Sequence, residues 1–130
     1  MDELVTLNLP YPPSTNRYWR TFRGRTVPSK EAATYKRLVQ HVGVSWTGQQ
    51  PELYKDDVAI TIHLLPKMTT KGVASKVCID LDNCLKVLLD AIQGTWIADD
   101  KQVKKIVAEY GQPVHDGGVI ITICKMNLAT

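Results

Sequence analysis

The chain has 130 residues, enough for one domain with a modest core and too few for a cofactor domain joined to a substrate domain. Hydrophobic residues make up 44% of the sequence and charged residues 22%, which is ordinary for a globular protein and argues against a disordered chain. The formal net charge of +3 is too small to indicate a nucleic-acid partner by itself.

The first 28 residues predict one strand followed by a long basic loop. Apolar and polar residues alternate from Leu4 to Leu9, and Pro10 stops the strand. We expect residues 10 to 28 to form a loop in which four arginines are interleaved with the aromatic residues Tyr18, Trp19 and Phe22. This clustering suits contacts with phosphates and bases, and a solvated surface loop is the alternative.

A helix and a second strand are predicted next. Ser29 suits the N-cap of a helix, with an apolar stripe at helical spacing and an end at Gly43 or Gly48; the stripe consists of Tyr35, Leu38, Val39 and Val42. Apolar residues alternate from Val58 to Leu64, which predicts a half-buried strand that Pro66 stops, with His63 on its exposed face.

A second helix is predicted to begin near residues 80 to 82. Its expected buried stripe is Leu81, Leu85, Leu88, Leu89 and Ile92, and its opposite face is Asp82, Lys86, Asp90 and Gln93. In a regular helix Asp80 and Asp82 would point to different sides, whereas an extended approach to the helix would place both on one side. We therefore place this motif where extended chain becomes helix, at an N-terminus that favours negative charge.

Two strands are predicted for residues 103–110 and 119–126, joined as a hairpin through the loop that contains His115 to Gly118. Asp99 and Asp100 precede the first of them, and we expect the chain to bring these two residues back over the start of the second helix. The prediction is a single α+β domain over residues 1–130, in the order β-α-β-α-β-β, with two helices and a mixed sheet of about four strands.

The acidic residues around Asp80, Asp82 and Asp99–Asp100 predict a divalent-metal site. Carboxylates gathered in an otherwise basic chain repel one another, and a hard cation such as Mg²⁺, with Mn²⁺ as an alternative, compensates them. Such ions can activate water and neutralise charge in phosphodiester hydrolysis. Lys86, one turn after Asp82, could bind the scissile phosphate, orient water or neutralise the carboxylates. The structural alternative is a helix cap at Asp82, an ordinary salt bridge to Lys86 and a turn at Asp99–Asp100.

Other chemistry finds little support in the sequence. There is no G-x-S-x-G motif and no glycine-rich phosphate loop. Cys78, Cys84 and Cys124 form no C-x-x-C pair, so neither a disulfide framework nor a zinc ribbon is indicated. The chain opens with acidic residues, and no apolar run approaches the roughly 20 residues that span a bilayer. We expect a cytoplasmic protein with no membrane segment.

Three segments together resemble the RusA family of Holliday junction resolvases, which are usually encoded by phages and prophages. They are Pro12-Pro13-Ser14-Thr15-Asn16-Arg17-Tyr18, then Asp80-Leu81-Asp82-Asn83 with Lys86, then Ala98-Asp99-Asp100-Lys101-Gln102-Val103, in the family's order. The resemblance implies a homodimeric, Mg²⁺-dependent endonuclease that nicks four-way DNA junctions symmetrically in recombination and repair. It implies catalytic, metal-binding roles for Asp80, Asp82 and Asp100, with Lys86 as an essential basic partner. Asp99, the other residue of the acidic pair, is a further candidate metal ligand.

The predicted DNA-binding residues are Asn16, Arg17, Arg20, Arg23, Arg25, Lys67, Lys71 and Lys76. Some members of the family carry an arginine run directly before the first aspartate, where this chain has residues 71–79, so the DNA contacts of that loop stay open. A nuclease for flaps or forks and a non-catalytic DNA-binding protein are the alternative functions. A D-x-D sugar-nucleotide transferase would need two binding regions, for which 130 residues leave little room.

Overall fold

Strands and helices follow in the order β-β-β-α-β-α-β-β over the residues that the computed structural model describes, which are 4–14, 19–47 and 56–126, with the backbone alone for residues 4 and 42–47. The elements are β1 (Leu4–Leu9), β2 (Trp19–Phe22), β3 (Arg25–Pro28), α1 (Lys30–Thr47), β4 (Val58–Leu65), α2 (Leu81–Ile92), β5 (Val103–Tyr110) and β6 (Gly118–Lys125). A single 3₁₀ turn, Asp100–Gln102, leads into β5. The predicted α+β class is confirmed.

The main sheet is mixed and has the strand order β1-β6-β4-β5. β4 pairs with β5 in parallel and with β6 antiparallel, and β1 pairs antiparallel with β6. Parallel neighbours need a crossover, and α2 provides it between β4 and β5. Alternate residues of β4, from Val58 to Leu64, are buried as the sequence predicted. His63 lies on the other face of the sheet, and its Nε2 is 2.6 Å from Oε1 of Glu109.

The predicted hairpin between the last two strands is wrong, because β4 lies between β5 and β6. The connecting loop passes across the end of β4 instead: Gly111 donates its backbone N–H to the oxygen of Leu64, and Val114 donates to Pro66. β4 and β6 carry the strongly apolar faces, so burial places them in the centre of the sheet. The more polar β5 takes the edge.

The predicted loop over residues 10–28 is also wrong, because β2 and β3 form a hairpin with a two-residue turn at Arg23 and Gly24. Both turn residues have positive φ, 54° and 76°, as a type I′ turn requires. The ribbon is exposed on nearly all its positions. It therefore lacks the apolar alternation by which a strand is recognised.

Both helices contribute to the core on one face of the sheet. The predicted N-cap is confirmed, since Ser29 Oγ accepts the backbone N–H of Ala32 at 3.1 Å. The helix continues through Gly43 to Thr47, and its described buried residues are Ala32, Tyr35 and Val39. No described helix is long and apolar enough to cross a membrane.

The stripe predicted for α2 is partly wrong. Its fully buried residues are Cys84, Val87, Leu88, Ala91 and Ile92, whereas Leu81, Leu85 and Leu89 are half-buried at the margin of the core. Small residues at 84 and 91 allow the helix to approach the sheet along this line. Asp82 and Lys86 stay exposed, as predicted.

Candidate metal centre and nucleic-acid surface

Asp80 and Asp82 lie where an extended segment enters α2. Asp80 is the N-cap residue with φ −67° and ψ 151°, which confirms the predicted extended approach. Its side chain makes no capping hydrogen bond, and the first helical bond runs from Cys84 N–H to the backbone oxygen of Asp80 at 2.9 Å. Within the described residues neither carboxylate has a hydrogen bond or an ion pair. Both exposed carboxylates are therefore available to a cation.

Lys86 lies one turn along α2 from Asp82, on the same face of the helix. The two side chains are exposed, and no ion pair joins them in the part of the chain that the structure describes. The structure therefore gives no support to a structural salt bridge between them. Lys86 is left accessible to a ligand that approaches the start of the helix.

Two tyrosine hydroxyls hold the backbone just before Asp80. Ile79 N–H donates to Tyr11 Oη at 2.8 Å, and Tyr110 Oη donates to the Ile79 oxygen at 3.2 Å. Burial and a hydrogen bond to Cys78 raise the pKa of Tyr11 to about 12, so its hydroxyl stays protonated at neutral pH. Burial also raises the pKa of Tyr110, and nearby negative groups that include Asp80 and Asp82 raise it further. Sequence reasoning missed both tyrosines, and no motif indicated them.

Asp99 and Asp100 lie at the opposite end of the sheet from Asp80. Asp100 lies three residues before Val103, the first residue of β5. Tyr110 is the last residue of β5, and its hydroxyl donates a hydrogen bond to Ile79. The eight residues of β5 span about 25 Å. The twelve residues of α2 span about 18 Å in the opposite direction, so the chain leaves the Asp80 end of the sheet before it reaches Asp100. The described part of the chain contains no group of three metal-ligating side chains. The expectation that Asp99 and Asp100 return over the start of α2 is therefore wrong for a single chain.

The pair Asp99–Asp100 begins the 3₁₀ turn. Asp99 Oδ1 accepts the backbone N–H of Lys101 at 2.9 Å, and this bond lowers the pKa of Asp99. Gln102 completes a capping box by accepting the Asp99 N–H at 2.8 Å, and it anchors the turn by donating to the Asp56 oxygen. A hydrogen bond between the two carboxyl groups raises the pKa of Asp100. Asp99 thus has the structural role of a cap, and Asp100 is the exposed first residue of the turn.

The predicted DNA-binding arginines described by the structure lie on the β2–β3 hairpin. Arg20, Arg23 and Arg25 are exposed, and Phe22 is 50% exposed among them. The guanidinium carbon of Arg20 lies 5.6 Å from the centre of the Phe22 ring, and that of Arg23 lies 5.2 Å away. Trp19 packs against the core. Asn16, Arg17 and Tyr18 lie outside the described residues.

The predicted basic loop after β4 forms a second exposed surface. Lys71 precedes a turn at Gly72, whose φ is 79°, and both Lys71 and Lys76 are exposed. Lys67 lies at the base of the loop, with its Nζ 5.1 Å from the centre of the Tyr11 ring. A cleft of about 900 Å³ separates this loop from the start of α1, and Ile79, the residue before Asp80, lines it. Positive charge therefore lies beside the segment that leads into α2.

Comparison with known proteins finds matches along nearly the whole chain. Residues 10–124 match the family model described as Endodeoxyribonuclease RusA. The chain is 30% identical over 128 residues to the crossover junction endodeoxyribonuclease RusA of Escherichia coli strain K12, a match that covers 93% of this chain and 94% of that protein. It is 33% identical over 123 residues to the enzyme of the same name from Enterobacteria phage 82, with 92% and 93% covered.

Proposed function

The chain belongs to the RusA family of endodeoxyribonucleases and is an endonuclease, and from this premise we propose that it resolves four-way DNA junctions by paired nicks in recombination and repair. The observation that carries the proposal is the pair of unengaged carboxylates, Asp80 and Asp82, at the start of α2. Lys86 lies one turn along α2, and the structure has two exposed basic surfaces, the β2–β3 hairpin and the loop after β4 that leads to Asp80. The relatives are crossover junction endodeoxyribonucleases, and this supplies the proposed substrate class.

The metal we propose is Mg²⁺, with Mn²⁺ as an alternative. Mg²⁺ is usually held by one or two carboxylates together with waters and substrate phosphates, and two exposed carboxylates at a helix N-terminus fit that requirement. A bound Mg²⁺ supplies an activated water and neutralises charge on the phosphate. Asp80 and Asp82 would hold the ion, and Lys86 would bind the scissile phosphate. Asp100 and, to a lesser extent, Asp99 complete the acidic set.

A second copy of the chain can bring Asp100 to the other two carboxylates. Among the described strands β5 pairs with β4 alone, so its other edge is open. Ile106, Val107 and Tyr110 on this strand are 41%, 42% and 49% exposed. An open edge with exposed apolar side chains favours pairing with another strand. We therefore propose that the homodimer forms through β5.

Antiparallel pairing of two β5 strands about a two-fold axis sets the first residues of one strand beside the last residues of the other. The strand ends near Asp80 and begins just after Asp100. Each dimer therefore gains two composite sites, each with Asp80 and Asp82 from one copy and Asp100 from the other. Two equivalent sites related by a two-fold axis match the symmetry of a four-way junction and suit paired nicks.

The β2–β3 hairpin and the loop after β4 provide the proposed contacts with DNA. A two-stranded ribbon is a known means of entering a groove, and exposed arginines at its tip can bind phosphates. Phe22 is the exposed aromatic residue of the ribbon, so we assign base stacking at the branch point to Phe22 and leave Trp19 to the core. Lys67, Lys71 and Lys76 provide the second basic surface, on the loop that leads to Asp80.

The test is a nicking assay on a synthetic four-way junction, with and without Mg²⁺, beside flap, fork and duplex substrates. We expect the unaltered protein to make metal-dependent paired nicks in the junction. The Asp82→Asn variant should lose cleavage by orders of magnitude and retain junction binding. Asp116→Asn, which changes a 91% exposed carboxylate in the β5–β6 loop, is the matched control. Preferred cleavage of flaps or forks would favour the other nuclease function, and binding without cleavage would favour a non-catalytic protein.

A further inference from the structure

The segment before Asp80 has no secondary structure of its own. Residues 77–80 belong to no strand or helix, and the helical bonds of α2 begin only at the oxygen of Asp80. A carboxylate that projects from irregular backbone holds its position only if other groups fix that backbone. The groups that do so here are the hydroxyls of Tyr11 and Tyr110.

The two tyrosines come from opposite edges of the sheet. Tyr11 follows β1, and Tyr110 ends β5, so about 14 Å, or three strand spacings, separates their strands. Their hydroxyls nevertheless meet at one residue: Tyr11 Oη accepts the N–H of Ile79 at 2.8 Å, and Tyr110 Oη donates to its oxygen at 3.2 Å. The two bonds hold the peptide groups on both sides of Ile79. The second of these peptide groups includes the nitrogen of Asp80.

Tyr11 is itself anchored. Its hydroxyl hydrogen is donated to Cys78 Sγ at 3.4 Å. The residue before it, Pro10, accepts a hydrogen bond from the hydroxyl of Tyr35 in α1 at 2.9 Å, and Tyr35 is buried. A chain of contacts therefore runs from α1 through Pro10 and Tyr11 to Ile79. Such continuous support is what a precisely placed functional group needs.

We infer that Tyr11 and Tyr110 are positioning residues that hold the Ile79–Asp80 backbone, and so fix the carboxylate of Asp80 relative to Asp82. The inference rests on the proposed role of Asp80 as a metal ligand. Neither tyrosine is assigned a contact with DNA or metal in this role. Both act through the backbone of Ile79.

The test uses Tyr11→Phe, Tyr110→Phe and the double variant, because phenylalanine keeps the ring and removes only the hydroxyl. Thr122→Val is the matched control, since it deletes a hydroxyl whose 3.5 Å contact with Thr6 lies on the open face of the sheet. Four quantities are measured on the full chain: amide hydrogen exchange at Ile79, Mn²⁺ affinity by electron paramagnetic resonance, junction affinity without metal, and cleavage rate.

In Tyr11→Phe we expect faster exchange of the Ile79 amide, because its acceptor is lost. In all three tyrosine variants we expect weaker Mn²⁺ binding and cleavage slowed by about ten- to a hundredfold, the scale of a misplaced catalytic group. The melting temperature and the metal-free junction affinity should match those of Thr122→Val. Unchanged exchange, Mn²⁺ affinity and cleavage would overturn the inference, as would a loss of junction affinity and melting temperature in proportion to the loss of cleavage.

These outcomes are distinguishable from a failure of the proposed function. If the unaltered protein cleaves no junction, the function fails, while the exchange and Mn²⁺ measurements still decide the role of the tyrosines. If the unaltered protein cleaves and Asp80→Asn does not, the function stands, and the tyrosine variants alone decide the inference.

Discussion

Mixing two inactive variants distinguishes a composite site from a site within one chain. The experiment assembles dimers in which one chain carries Asp82→Asn and the other carries Asp100→Asn. Each variant alone should be inactive, because every site of its homodimer lacks one carboxylate. Asp80 and Asp100 lie near opposite ends of β5. A composite site and a site within one chain therefore predict different activities for mixed dimers.

If each site takes Asp82 from one chain and Asp100 from the other, one site of every mixed dimer has both changes and the other site has none. Mixed dimers purified by two different tags should therefore nick at about half the wild-type rate, and an unsorted equal mixture at about a quarter. If each site is built within one chain, no site is intact, and nicking stays at the level of the single variants.

A supercoiled plasmid with an extruded cruciform provides the assay. One intact site per dimer should yield nicked circles, whereas the unaltered dimer should yield linear product by paired nicks. Dimers that combine Asp80→Asn with Asp82→Asn are the control, because neither arrangement leaves them an intact site. Background nicking by mixed dimers, with light scattering showing that they are dimeric, would refute the composite site.

Three further predictions address the lysine, the hairpin and the edge strand. Lys86→Ala should slow cleavage by about a hundredfold with an unchanged melting temperature, because Lys86 is exposed and has no described ion pair; wild-type rates would return it to a surface role. The double change Arg23→Ala with Arg25→Ala should lower the slope of log affinity against log salt by about two units in a junction titration, without changing the sequence that is cut. Val107→Lys should convert dimers to monomers in light scattering while the circular dichroism spectrum is retained, because it places two like charges near the proposed two-fold axis; persistent dimers would exclude pairing through β5.

Local patterns in the sequence were sufficient to predict most individual elements. The alternation of β4, the Ser29 cap of α1 and the change from extended chain to helix at Asp80 each depend on residues within a few positions of one another. The choice of Asp80, Asp82 and Lys86 likewise followed from their spacing at a junction between extended chain and helix, and their roles stay predictions. The β2–β3 hairpin was not predicted because both of its faces are exposed, so its sequence lacks an alternation of apolar and polar residues.

The neighbours of each element become known only from the folded chain. Alternation shows that a segment is a strand but does not say which strand lies beside it, so the separation of β5 from β6 by β4 could not be read from the chain. The same holds for Asp100, which is near Asp80 in sequence but lies at the other end of the sheet because α2 and β5 run the length of the domain in opposite directions. Tyr11 lies 68 residues from Ile79 and yet binds it. Such contacts arise from the burial of the whole core, to which every element contributes, and no local segment encodes them.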